Sequence, residues 1–272
     1  MKKVLNFIGK LFVIVMAFMT VFPFVYMILA SFMSYQEATS IPPTMWPGSF
    51  RFSNFTEAMA QAPFGRYFIN TVFVSFVTTI GILFTSVLAA FAFVKLEFKH
   101  KKLVLSLMIT LLMVPYEAVV FTNYRTIARL GLLNTYSALI IPSLASVFYI
   151  FYLKEYLTSI PISYYKAAKI DGCGDLEFIW KILLPLSRPA LVTIGILSFI
   201  SGWNSFIWPI LVTNDKSMRL LNNGLSAFAT ETGTAVHLQM AAATITIVPI
   251  LILYFFFRKE IIRGVSKSGL KG

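Results

Sequence analysis

The sequence predicts an all-α, polytopic membrane protein with six transmembrane helices and a cytoplasmic two-helix loop. Three observations carry this. Hydrophobic residues make up 58% of the 272 positions and charged residues 12%, where a soluble domain carries about 25% charged residues. The apolar residues collect in six runs of near membrane-spanning length, separated by polar, turn-rich or basic segments. The 23 Lys and Arg residues then divide unequally between alternate loops. The single cysteine, Cys173, excludes an internal disulfide and a multi-cysteine metal site.

Met1 to Lys10 is a short basic start, and Leu11 to Phe32 is the first span. This run exceeds the apolar core of a secretory signal, and the chain returns to the membrane after it, so it reads as uncleaved. Ser34 to Tyr67 is polar; Pro42, Pro43 and Pro47 disfavour regular helix, and Trp46 and Phe50 suit a membrane interface. Ile69 to Val94 is the second span, Lys95 to Lys102 a basic loop, and Leu103 to Thr122 a third span broken by Pro115. Asn123 to Tyr136 is a polar loop with Arg125 and Arg129, and Ser137 to Leu153 is the fourth span. Pro189 to Val212 and Gln239 to Phe257 are the fifth and sixth, flanking polar Thr213 to Leu238, and Arg258 to Gly272 is a basic tail. The predicted divisions are an N-terminal helix and outer loop (1–68), a core (69–260) carrying the loop 158–188, and a tail (261–272).

Six spans put both termini on one side. The terminal side, with Lys95–Lys102, the loop before the fifth span and the tail, holds 17 Lys and Arg. The opposite side holds six: Arg51, Arg66, Arg125, Arg129, Lys216 and Arg219. The positive-inside rule places the termini and that loop in the cytoplasm of a cell membrane. The net charge of +12 is thus a topology signal, and nucleic acid is not an expected partner.

Pro161 to Pro189 interrupts the apolar runs with a helical pattern of its own. Pro161 suits a helix start. Ala167 and Ala168 are small enough to let another surface approach the backbone. Asp171-Gly172 ends the helix where glycine accepts a left-handed conformation. Gly174-Asp175 starts a second helix, in which Leu176, Ile179, Trp180 and Leu183 form one apolar stripe and Glu177 and Lys181 are spaced to pair. Leu184-Pro185 is expected to stop it. Docking into a partner and lying on the bilayer both fit this pattern.

The order K-A-A-x-x-D-G at 166–172, ten residues, then L-L-P-L-x-x-P at 183–189 resembles the EAA loop of ABC importer permeases. The resemblance extends to PFVYMILASF, LAAFAF, IARLGLLNTYSALIIP, SGWNSFIWP and the final GLKG, nearly the whole chain. It is similar to the binding-protein-dependent carbohydrate branch, and in particular to the second permease subunit of maltose-type systems. The resemblance implies that Lys166, Ala167, Ala168, Asp171, Gly172, Leu176, Ile179 and Trp180 couple the chain to an ATPase, in whose cleft the loop sits. It implies as partners a second permease subunit, two ATPase subunits carrying ATP and Mg, and an extracytoplasmic sugar-binding protein. One position departs: Lys166 stands where the family carries Glu, so that ion pair is lost or meets an acidic partner. An exposed pair contributes little, and docking survives its loss. The tail from Ser266 to Gly272 is expected to reach between the ATPase subunits.

Candidate solute contacts are Glu117, an acidic residue in a span, and Trp203, Asn204 and Trp208, whose aromatic faces and amide suit sugars. His100 and His237 fall in loops and read as solvated. No phosphate-cradling G-x-x-x-x-G-K-[ST] is present, so the chain has no cofactor of its own and ATP hydrolysis is expected on a partner. The alternative function is an ion-gradient-driven secondary transporter, which this sequence, with one intramembrane charge and no clear half-to-half repeat, fits less well.

Overall fold

The computed structural model describes the backbone of residues 2–230 and 233–268, and the side chains of 6–229 and 234–259. Among these residues the chain is almost wholly helical. Its helices are α1 (Lys2–Ala30), α2 (Tyr35–Ala38), α3 (Ser53–Gln61), α4 (Phe64–Lys95), α5 (Lys101–Leu111), α6 (Tyr116–Arg129) and α7 (Tyr136–Ile140). They continue with α8 (Val147–Thr158), α9 (Ile162–Ile170), α10 (Asp175–Phe178), α11 (Leu184–Trp203), α12 (Ile207–Val212), α13 (Leu221–Gly224) and α14 (Val236–Ser268). A two-residue antiparallel pairing joins Ala229–Thr230 to Gly233–Thr234.

Four described helices are long and apolar enough to cross a membrane: Asn6–Ala30, Phe64–Lys95, Asp175–Trp203 and Val236–Lys259. Counting two bent pairs as one span each raises the number to six: α5 with α6 at 99°, and Tyr136–Ser143 with α8 at 43°. The third expected span is therefore sharply broken. Pro115 takes the N-cap position of α6 in extended conformation, which ends α5 after eleven residues. The expected loop from Asn123 is helical as far as Arg129. The fifth span also departs from expectation. The helix does not stop at Leu184-Pro185 but runs from Asp175 to Trp203 through a π turn at Ile179–Leu183. That turn lies just before Pro185, so the widened ladder absorbs the missing N–H.

The chain forms two compact units. One takes residues 1–64 and 223–251, the other 65–222 and 252–272. In the first, Asn54 Nδ2 donates to the carbonyls of Ser31 (2.9 Å) and Met33 (2.8 Å), fastening α3 to the end of α1. Ser34 and Glu37 form a capping box, and Glu37 also accepts from the Gly48 amide at 3.0 Å. His237 is not solvated as expected: it lies in the first turn of α14, edge-on to Tyr35 at 5.8 Å, with Nδ1 buried and unpartnered.

The Ser34 and Gly48 amides hold the Glu37 carboxyl below the usual glutamate range. A depressed pKa contributes stability above the ordinary value that is lost as pH falls through the lowered one. Exchange protection of the Gly48 amide, corrected for intrinsic rate, should hold at pH 6 and fall in acid below the ordinary glutamate value. Glu37→Gln should show the weakened protection already at neutral pH.

In the second unit, α4 is the spine. Its 32 residues reach about 48 Å at 1.5 Å each, more than the roughly 30 Å hydrocarbon layer. Val74 belongs to one apolar core with Val120, Leu139 and Trp208. Ile82, Val87, Ala90 and Phe91 belong to a second, with Leu153, Leu157, Phe178 and Leu183.

Candidate coupling loop and solute contacts

The segment after α8 folds as one short helix, α9, and the first turns of the long Asp175–Trp203 helix, joined at a glycine elbow. Pro161 is the N-cap of α9, one position earlier than a first-turn proline. At the exit, Gly172 N–H donates to Lys169 O at 3.1 Å and Cys173 N–H to Ala168 O at 2.9 Å. This is the paired closure of a Schellman motif, and Gly172 has the positive φ of 79° that it requires. A Cβ there meets no atom within 4 Å, so the demand is conformational, not steric. Gly172→Val should cost about 1–2 kcal/mol of loop stability from left-handed strain, and Gly172→Asn much less. Thermal unfolding of the solubilised protein would show the ranking, and equal midpoints would contradict it.

The two helices are tied across the elbow. Asp175 Oδ1 accepts from Tyr165 Oη at 2.7 Å and pairs with Lys169 Nζ at 2.7 Å, and the carboxylate holds Lys169 above the usual lysine range. Glu177 and Lys181 pair at 2.7 Å, as their spacing suggests. Beneath them Tyr165 and Phe178 meet edge to face at 5.0 Å, and both approach Phe91 of α4. Lys95, buried at the end of α4, donates to Ile160 O at 3.1 Å. These anchors were not singled out from sequence. The Tyr165–Asp175 spacing of ten has no periodic signature, and Lys95 reads as one more loop lysine.

The predicted stripe divides. Ile179 and Leu183 are buried, joined by Phe178, while Leu176 and Trp180 are each 67% exposed. The division falls between its two four-apart pairs: Ile179 and Leu183 face the core, and Leu176 and Trp180 face away from it. Leu176 and Trp180 turn instead to an apolar groove of about 530 Å³ shared with Ile80, Phe84 and Leu88 of α4. Ala168 is also buried in the chain's own core, which leaves Lys166, Ala167, Asp171 and Gly172 exposed around the elbow, beside Ile170 at 87% exposure.

Residues 81–267, including the whole loop, match the profile of the binding-protein-dependent transport system inner membrane component. The chain belongs to this family. It is a multi-pass permease, a transport component rather than an enzyme. It is 32% identical over 259 residues to the arabinooligosaccharides transport system permease protein of Halalkalibacterium halodurans, covering 94% of this chain and 93% of that one. It is 29% identical over 272 residues to the sn-glycerol-3-phosphate transport system permease protein of Yersinia pestis, covering 97% of each. The fold is that of a crystal structure of a bacterial ABC transporter involved in the import of the acidic polysaccharide alginate. There the TM-score is 0.82 at 23% identity, over 94% of this chain and 96% of that one.

The four candidate solute contacts of this permease do not converge. Glu117 lies in the first turn of α6 and is exposed, where its charge complements the helix N-terminus. Asn204 is exposed at the break between α11 and α12. Trp203 is buried against Phe68 and Phe199. Trp208 is buried, with Nε1 donating to Ala138 O at 2.9 Å. Trp203 is thus a packing residue in this conformation, while Trp208, held by its Nε1 bond, also borders a small cavity between α4, α8 and α11. The tail residues GLKG lie outside the described residues.

Proposed function

We propose that this permease is one of two membrane subunits of an ATP-driven, binding-protein-dependent importer for an oligosaccharide or related carbohydrate. The termini and the loop 161–189 face the cytoplasm. The observation that carries this reading is the construction of the loop. Its inner side, Phe178, Ile179 and Leu183, is bolted to α4 and α8, and its elbow exposes Ala167, Ile170, Asp171 and Gly172. A rigid body with an exposed tip transmits motion from a partner to the spans. That partner is an ATPase pair carrying ATP and Mg, and the solute arrives on an extracytoplasmic sugar-binding protein. The carbohydrate assignment rests on the relative named for arabinooligosaccharides.

The test is co-purification followed by reconstitution. The expected result is a stable complex with ATPase subunits that accumulates a neutral oligosaccharide only with ATP inside and binding protein outside. The assay includes sn-glycerol 3-phosphate as the anionic comparison. Accumulation by this chain alone, or driven by an ion gradient, would sink the reading.

A further inference from the structure

Two broken spans of the larger unit meet at one polar cavity. α7 passes to α8 through a 43° bend, and α11 gives way to α12 at residues 204–206. Between these breaks and α4 lies a cavity of about 120 Å³. Thr78, Ser143, Tyr149, Ser198, Ser201 and Ser205 bring hydroxyl groups to its lining, Trp208 and aliphatic side chains supply the apolar remainder, and no lining residue is charged. Thr78 is 6% exposed, and its Oγ1 is buried without a hydrogen-bond partner. Ser75, fully buried one turn away, is in the same state.

An unpaired buried hydroxyl is costly, and more so at membrane depth, where no bulk water reaches it. Broken helices at that depth persist where they line a water-filled cavity, and transporters build solute sites at such breaks. The space is below the roughly 300 Å³ at which pockets enclose a whole ligand. It corresponds to about four waters at their liquid volume of ~30 Å³ each, or to two carbons and two oxygens. An anionic group would find no counter-charge in the lining.

We propose that this cavity is a subsite for one diol edge of a neutral sugar, filled by water between turnovers. The proposal rests on the importer reading above and adds the place where this subunit grips its solute. Thr78 supplies the free hydroxyl, and Ser201 before the α11–α12 break with Ser205 within it tie occupancy to the geometry of that break.

The experiment uses the purified complex and the neutral oligosaccharide it accumulates, beside the same sugar lacking one terminal hydroxyl. Equilibrium binding to the solubilised complex, without binding protein, is measured for both. Thr78→Val and, independently, Ser201→Ala should each weaken the intact sugar about three- to tenfold, the range of one neutral hydrogen bond. Wild type should prefer the intact sugar over the deoxy analogue by a similar factor, and Thr78→Val should not distinguish them. A merely structural role weakens both sugars equally and keeps the preference. Unaltered affinity in both variants, or an unaltered preference in Thr78→Val, overturns the subsite and leaves water as the occupant. Wild-type complex that accumulates no sugar with ATP defeats the importer reading instead.

Discussion

Ile170→Asp should reduce ATP-driven uptake about 30-fold or more while the protein stays inserted and folded. Ile170 ends α9 immediately before the elbow and is 87% exposed. An apolar side chain so placed contributes almost nothing to the fold of this chain, so its replacement has little to destabilise. It sits, however, at the tip that the proposed coupling presses into an ATPase. Interface anchors of this kind cost at least about 2 kcal/mol when lost, which is about 30-fold at 1.4 kcal/mol per decade. A carboxylate buried there without a partner adds a further desolvation cost. The readout is paired: uptake and ATPase co-purification should fall together, and the unfolding midpoint of the solubilised chain should not move. Uptake that survives with the ATPase still bound would remove the elbow from the interface.

Much of this architecture is legible in the sequence because a bilayer is a strict solvent. Apolar runs must be about span-length and must satisfy their own backbone, so the second and sixth spans could be placed to within a few residues. The elbow is legible for a different reason: Asp171-Gly172 needs a left-handed residue, and φ at Gly172 supplies it. What periodicity could not reveal is where a helix changes its hydrogen-bond step. The π turn at Ile179–Leu183 carries the helix past Pro185. Pro185 is absorbed within a continuous helix, yet Pro115 accompanies a 99° break. The outcome depends on the neighbouring turns and on what packs against them. The solute contacts were the least legible part. Aromatic-plus-amide composition marks Trp203 and Trp208; Trp203 is used in packing, and Trp208 borders the cavity from within a buried core. The hydroxyls that line the cavity come from four separate helical segments and from Ser205 in the α11–α12 break, and no local pattern marks them.

Phe178→Ala should be the most damaging single truncation in the loop. The ring is fully buried, edge-on to Tyr165 at 5.0 Å and tilted against Phe91 at 6.2 Å, within the core formed by α4, α8 and the loop. Removing a buried phenylalanine costs about 3–5 kcal/mol through lost transfer energy and the cavity left behind. Here the cavity would open where the loop grips the end of α4, so the two loop helices would lose their seat on the spans. The solubilised chain should unfold at a markedly lower temperature, and uptake should fall even where ATPase subunits still co-purify. A docked elbow that is no longer attached to the bundle transmits nothing. This pattern is the converse of Ile170→Asp, which should remove docking and spare stability. Phe178→Leu keeps most of the volume and should recover much of both losses. An unchanged midpoint in Phe178→Ala would mean that the loop is seated by contacts other than this ring, and the mechanical link from elbow to spans would have to run through the Lys95–Ile160 bond and the Asp175 ties instead.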